Sequence, residues 1–145
     1  MKLSCLQENL NRGLSVVGRA VATRTTLPIT NNVLLATDKS RLKLVATNLE
    51  IAVSCWLGAK IEEEGAMVIP SQVVSSLINF FPNKPINIAS KGLNVNIECE
   101  NYKSSFNGLN PDDFPIIPSI SDEESSKVPA SVFCQGLAQV VNIAV

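Results

Sequence analysis

The chain offers little for covalent chemistry. Its 145 residues include no histidine, so neither a Ser-His nor a Cys-His pair can be assembled and the commonest general base is missing. The four cysteines, Cys5, Cys55, Cys99 and Cys134, lack the C-x-x-C spacing that would suggest zinc or a redox dithiol. Cys99 ends the alternation Leu93, Val95, Ile97, and Cys55 continues Ile51 and Val53, so the thiols are expected reduced and buried, as small core hydrophobes. Asp112 and Asp113 are the carboxylates on which a metal-dependent nuclease would be built. Adjacent residues on extended chain point to opposite faces, however, and Asp113-Phe114-Pro115 reads as a domain-ending turn. No catalytic residue, metal or cofactor is assigned, and the chain is not read as an enzyme.

What remains is charge. Twelve Lys and Arg against thirteen Asp and Glu give a net charge of -1, so bulk electrostatics do not advertise a nucleic-acid binder. Any such role must rest on where the charges lie. Arg12 and Arg19 stand seven residues apart in a stretch of helical period and so project in similar directions. Hydrophobic residues at 46% and charged residues at 17% fit a globular chain, long enough to bury about two-thirds of its unfolded surface. No apolar run approaches the roughly 20 residues of a membrane span, and Met1-Lys2-Leu3-Ser4-Cys5 does not open a signal peptide. A cytoplasmic protein without a membrane partner is expected.

The elements that carry these residues repeat. Residues 2–5 alternate as a strand, and residues 7–22 then take a helical period, with Leu6, Leu10, Leu14, Val17 and Val21 on one stripe. Strands are expected at 32–37, 42–47 and 50–57, with Asp38-Lys39-Ser40 as a hairpin turn and Glu62-Glu63-Glu64-Gly65 as a solvated loop. The order then restarts: a strand at 66–69, a helix at 71–81 capped by Ser71 and stopped by Pro82, and strands at 85–90, 93–99 and 102–107. The second helix buries Val74, Leu77, Ile78 and Phe81; Asn94, Asn96, Glu98 and Glu100 give the strand at 93–99 one wet face. Val128-Pro129-Ala130-Ser131-Val132-Phe133 parallels Ile69-Pro70-Ser71-Gln72-Val73-Val74 and opens a third copy, whose helix is interrupted at Val145. A longer repeat protein is therefore expected, with a domain at 1–121, an acidic linker at 122–127 and the start of a second domain at 128–145.

Two such units, each with one helix and a set of antiparallel strands, predict an α+β domain. Its local sequence resembles the bacterial DNA sliding clamps, the β subunits of DNA polymerase III. The stretches that carry the likeness are Thr26-Leu27-Pro28-Ile29, Ala46-Thr47-Asn48-Leu49-Glu50, Val68-Ile69-Pro70, and Asn107-Gly108-Leu109 followed by Asp113-Phe114-Pro115, in the family's order and spacing. The resemblance implies the DNA clamp fold, with both helices facing DNA. It further implies a processivity factor: a head-to-tail homodimeric ring that encircles double-stranded DNA without sequence specificity and tethers DNA polymerase III. The polymerase and the clamp loader would bind through later domains.

By the same resemblance Arg24, just before the T-L-P-I stretch, approaches DNA at the rim of the hole; otherwise it is a solvated loop arginine. Arg12 and Arg19 on the first helix, and Gln72, Ser75, Ser76 and Asn79 on the second, would face the duplex. Weak contact with phosphate suits sliding, because each direct charge contact adds affinity and salt dependence without reading sequence. The strand at 102–107 would form the subunit seam through Tyr102, Ser104 and Phe106, although Phe106 also reads as a core aromatic. Ser104 departs from the bulky apolar residue common there. A different reading is a repeat scaffold that binds proteins along exposed strand edges.

Overall fold

The computed structural model describes residues 1–21, 27–118, 126–141 and 143; Arg24 and most of the expected linker lie outside these. Strand β1 (Lys2–Leu6) buries Leu3 and Cys5 and exposes Lys2 and Leu6, the period of two that one covered sheet face requires. Helix α1 (Gln7–Val17) follows directly, with Leu10, Leu14 and Val17 as its buried stripe. At Gly13 an added Cβ would stand 2.8 Å from Leu44 Cδ1 and 2.9 Å from Leu57 Cδ2, so the missing side chain lets the helix lie close on the sheet. The α-helix is shorter than the periodicity predicts. Gly18, a poor helix former, begins a 3-10 turn over Gly18–Ala20, leaving Leu6 in β1 and Val21 beyond the helix.

Strands β2 (Asn32–Asp38), β3 (Arg41–Thr47) and β4 (Ala52–Gly58) form an antiparallel meander. Lys39 and Ser40, with φ of 44° and 63°, make the two-residue turn whose twist suits a hairpin. Between β3 and β4, Asn48 Oδ1 accepts from the N–H groups of Glu50 and Ile51, and Thr47 Oγ1 accepts from that of Leu49. These bonds hold Leu49 at a φ of 77°, so the Thr47-Asn48-Leu49-Glu50 stretch is a side-chain-stapled turn.

The expected acidic loop is in part a strand. β5 (Lys60–Glu63) pairs antiparallel with β1, Leu3 opposite Ile61. Half-buried Ile61 packs on the core, and Lys2 Nζ reaches Glu62 at 2.8 Å. A strand otherwise made of charged residues is legible only through its neighbour, and its charges suit an edge position.

The second unit comprises β6 (Ala66–Pro70), α2 (Ser71–Phe80), β7 (Pro85–Lys91), β8 (Asn94–Cys99) and β9 (Tyr102–Asn107). Ser71 is the first helical residue and is buried; Pro70 holds the cap position without a side-chain bond. The two sheets run β5-β1-β7-β8-β9 and β4-β3-β2-β6. Each unit thus lends its first strand to the other: β1 pairs with β7, and β6 pairs with β2. The likeness extends to the flanks, because Leu109 bridges Val68 on the outer side of β6, as β5 flanks β1.

One core joins both sheets and both helices, with Leu35, Leu42, Leu44, Ile78, Ile86, Ile88 and Ile97 at 1% exposure or less. Each such side chain is worth about 1.5–3 kcal/mol of burial. A smaller cluster on the opposite face of the β2-β3 sheet places Phe114 over Val45 and Val68, so the Asp113-Phe114-Pro115 turn pins the chain there. Cys5 and Cys99 are buried as expected, Cys55 is half-buried, and Cys134 is exposed, contrary to expectation. Cys134 lies on α3 (Ala130–Val140), where no residue is buried.

Candidate nucleic-acid interface

α1 and α2 lie side by side and antiparallel. Gln7 Nε2 at the start of α1 donates to the Ile78 carbonyl near the end of α2 at 2.7 Å. At the opposite end Val21 shares a surface cleft with Ser71, Gln72 and Val73. The Ile78 carbonyl also accepts from the Phe81 N–H at 3.3 Å, so the buried Gln7 amide is its second and shorter bond. That bond fixes the register of the two helices, and so of whatever their outer faces present.

Those faces are nearly neutral and mostly polar, although Val16 and Val73 are exposed on the same helices. Arg12, Ser15 and Arg19 are exposed along the first, Arg19 on the 3-10 turn and not on the α-helix; Gln72, Ser76 and Asn79 are exposed along the second. Asn11 Nδ2 donates to Asn79 Oδ1 at 3.4 Å, linking the helices on their solvent side. Within Gln7–Val17, Gly18–Ala20 and α2 the charged residues are Glu8, Arg12 and Arg19. Neither arginine belongs to any ion pair among the described residues. Arg24 lies outside the described residues.

The seam candidates sit elsewhere. β9 is an edge strand, and Tyr102, Ser104 and Phe106 stand opposite the buried Cys99, Ile97 and Val95 of β8, so they share the inward face of the sheet. Phe106 is half-buried and packs on the core. The sequence reading did not single out Phe80. It is 73% exposed and meets Tyr102 edge-on at 5.9 Å, while Phe81 lies 5.9 Å from the same ring. The adjacent Phe80 and Phe81 were the available signal, since a helix end cannot turn both toward one core.

Asp112 and Asp113 occupy a 3-10 turn capped by Asn110, whose side chain accepts from the Asp112 N–H. Among the described residues, no three or more His, Cys, Asp or Glu side chains cluster as a metal site. No helix of the described residues is long and apolar enough to cross a membrane.

Two strand-helix-strand units with exchanged first strands, antiparallel sheets and paired helices define the DNA clamp fold. Residues 1–118 match the family described as DNA polymerase III beta subunit, N-terminal domain, and the chain belongs to that family. It is 31% identical over 140 residues to the beta sliding clamp of Synechococcus elongatus, an alignment covering 94% of this chain and 37% of that protein. The DNA polymerase sliding clamp of Bacillus subtilis shares the fold, with a TM-score of 0.91 over 96% of this chain and 39% of that one at 20% identity. The sliding clamp of Caulobacter crescentus gives a TM-score of 0.77 at 25% identity, covering 82% of this chain and 33% of that one. The chain thus spans 37% of the length of its cyanobacterial relative.

Proposed function

We propose that this chain is the N-terminal part of a replicative sliding clamp, a non-catalytic ring that encircles duplex DNA and tethers DNA polymerase III. The observation that carries the reading is the family membership of residues 1–118. α1 and α2 then line the hole, with Arg12, Arg19, Gln72 and Asn79 toward the duplex and Arg24 at its rim. Few cations on a mostly neutral surface suit a ring that must slide, since each direct phosphate contact strengthens binding and its salt dependence. The ring acts through effective concentration: a tethered polymerase rebinds faster than it diffuses away.

In the same reading the protein is a cytoplasmic homodimer, and β9 forms the seam through Tyr102, Ser104 and Phe106. Phe80 adds to that edge the apolar bulk that Ser104 lacks. Residues 1–121 are the first domain, 122–127 a linker and 128–145 the opening of the second, with polymerase and loader contacts on later domains. The full-length protein is expected to stay on nicked circular DNA and to be lost when the circle is linearised; equal retention on both would sink the reading. Arg24→Ala is expected to weaken DNA binding or loading with folding intact, and an unchanged variant would remove Arg24 from the site.

A further inference from the structure

The outer face of the β4-β3-β2-β6 sheet, turned away from the helices, carries an aromatic and basic cluster that the clamp reading does not use. Trp56 stands opposite Lys43 on the neighbouring strand and reaches across to β2, where its Nε1 donates to Asp38 Oδ2 at 2.6 Å. Lys43 Nζ lies 5.0 Å from the indole centroid and the Arg41 guanidinium carbon 5.9 Å from it. The ring is held at one end by a carboxylate and braced by two cations, yet remains 41% exposed.

The charges are unbalanced. Arg41 stands opposite Asp38 across the β2-β3 hairpin, with Lys39 next to Asp38 in the turn and Lys43 on the strand beyond, and the single carboxylate already accepts from the indole. None of the three cations joins an ion pair among the described residues, and Arg41 and Lys43 lie over the indole. We propose that Trp56, Arg41 and Lys43 form a docking surface for an acidic peptide segment of a protein partner. Exposed Trp and Arg are the residue types that most often anchor protein interfaces. Here they are ordered before a partner arrives, which lowers the entropy cost of docking.

A carboxylate of the partner completes the unpaired cations, with Arg41 offering a two-pronged donor. An apolar side chain beside it covers the indole. A peptide fits this surface better than a duplex, because β4 itself carries no charge and the basic cluster does not extend into the track that a phosphate backbone follows.

Trp56 is the single tryptophan of the chain, so its fluorescence reads the site directly. The 145-residue chain is titrated with a synthetic peptide of Asp and Glu residues around one leucine, free of Trp and Tyr. A saturable change in emission is expected, with affinity lowered roughly tenfold in Arg41→Gln/Lys43→Gln, the loss of about one charge-assisted contact's worth of binding. Lys84→Gln, which removes a cation of the other sheet, is expected to leave the affinity unchanged. Thermal melts that superimpose for all three proteins exclude unfolding as the cause. The proposal is overturned by an unsaturable signal, by equal loss in the double variant and Lys84→Gln, or by tighter binding of a short duplex DNA than of the peptide.

Discussion

Gln7 at the start of α1 and Cys5 on β1 show what single buried residues contribute to stability. The Gln7 amide donates to the Ile78 carbonyl from a position only 8% exposed. Gln7→Ala removes that bond and leaves the carbonyl the longer one from the Phe81 N–H, and a lost intramolecular hydrogen bond costs about 0.5–1.5 kcal/mol. A urea midpoint lowered by this amount with an unchanged m-value is the expected result; an unchanged midpoint would show that water replaces the bond. Two positions earlier, burial pushes the Cys5 thiol from 9.0 up to about 12. Because the folded value is raised, the unfolded thiol ionises first as pH increases. The folded chain then holds the extra proton between pH 9 and 12, so stability falls as pH rises through that window. Cys99 is shifted in the same direction, by burial and then by Glu100. Melting temperatures are expected to drop across this range, less steeply in Cys5→Ala; equal slopes would mean that other groups carry the alkaline loss.

At the scale of elements, most of the architecture is written in the residues, and the misses have physical causes. The period-two alternation of Val95, Ile97 and Cys99 marks β8, and the stripes of Leu10 with Leu14 and of Val74 with Ile78 mark both helices, because each pattern records a face that must be buried. β5 escaped because Lys60, Glu62 and Glu63 carry no such pattern; only pairing with β1 makes them a strand. The stretches that reveal the family prove to be structural devices. Asn48 staples a turn, Gly108 and Leu109 carry the chain onto β6, and Phe114 pins it to the sheet. The proposed site residues are less legible, since an exposed Arg12 or Gln72 has no packing pattern to set it apart from any other surface residue. The repeat is legible as sequence, but its exchange of first strands is not, because strand pairing is a long-range choice. That exchange has a consequence: residues 1–64 alone lack β7 beside β1 and β6 beside β2. Neither 1–64 nor 65–145 should unfold cooperatively by itself, whereas an equimolar mixture should recover a cooperative transition. Independent folding of either half would show that the units, and not their pairing, hold the stability.

For the whole molecule, the small net charge conceals a division of labour. Glu62, Glu63, Glu98 and Glu100 lie on or beside the strands of one sheet, where Lys2, Lys84 and Lys103 neutralise part of them. The paired helices carry Arg12 and Arg19 against Glu8 alone. A net charge of -1 is therefore compatible with a helix face that attracts phosphate, and the salt dependence of binding measures how many cations take part. Each direct phosphate contact contributes a slope of about -0.9 in log affinity against log salt. If Arg12, Arg19 and Arg24 are the cations that meet the duplex, the 145-residue chain should bind DNA with a slope no steeper than roughly -3. The slope should be the same for unrelated duplex sequences, and Arg12→Gln/Arg19→Gln/Arg24→Gln should bring it close to zero. Fluorescence anisotropy with labelled duplexes at several salt concentrations provides the measurement. A slope that survives the triple variant would move the proposed DNA-facing surface away from these helices, and an affinity that depends on base sequence would contradict the sliding role proposed for it.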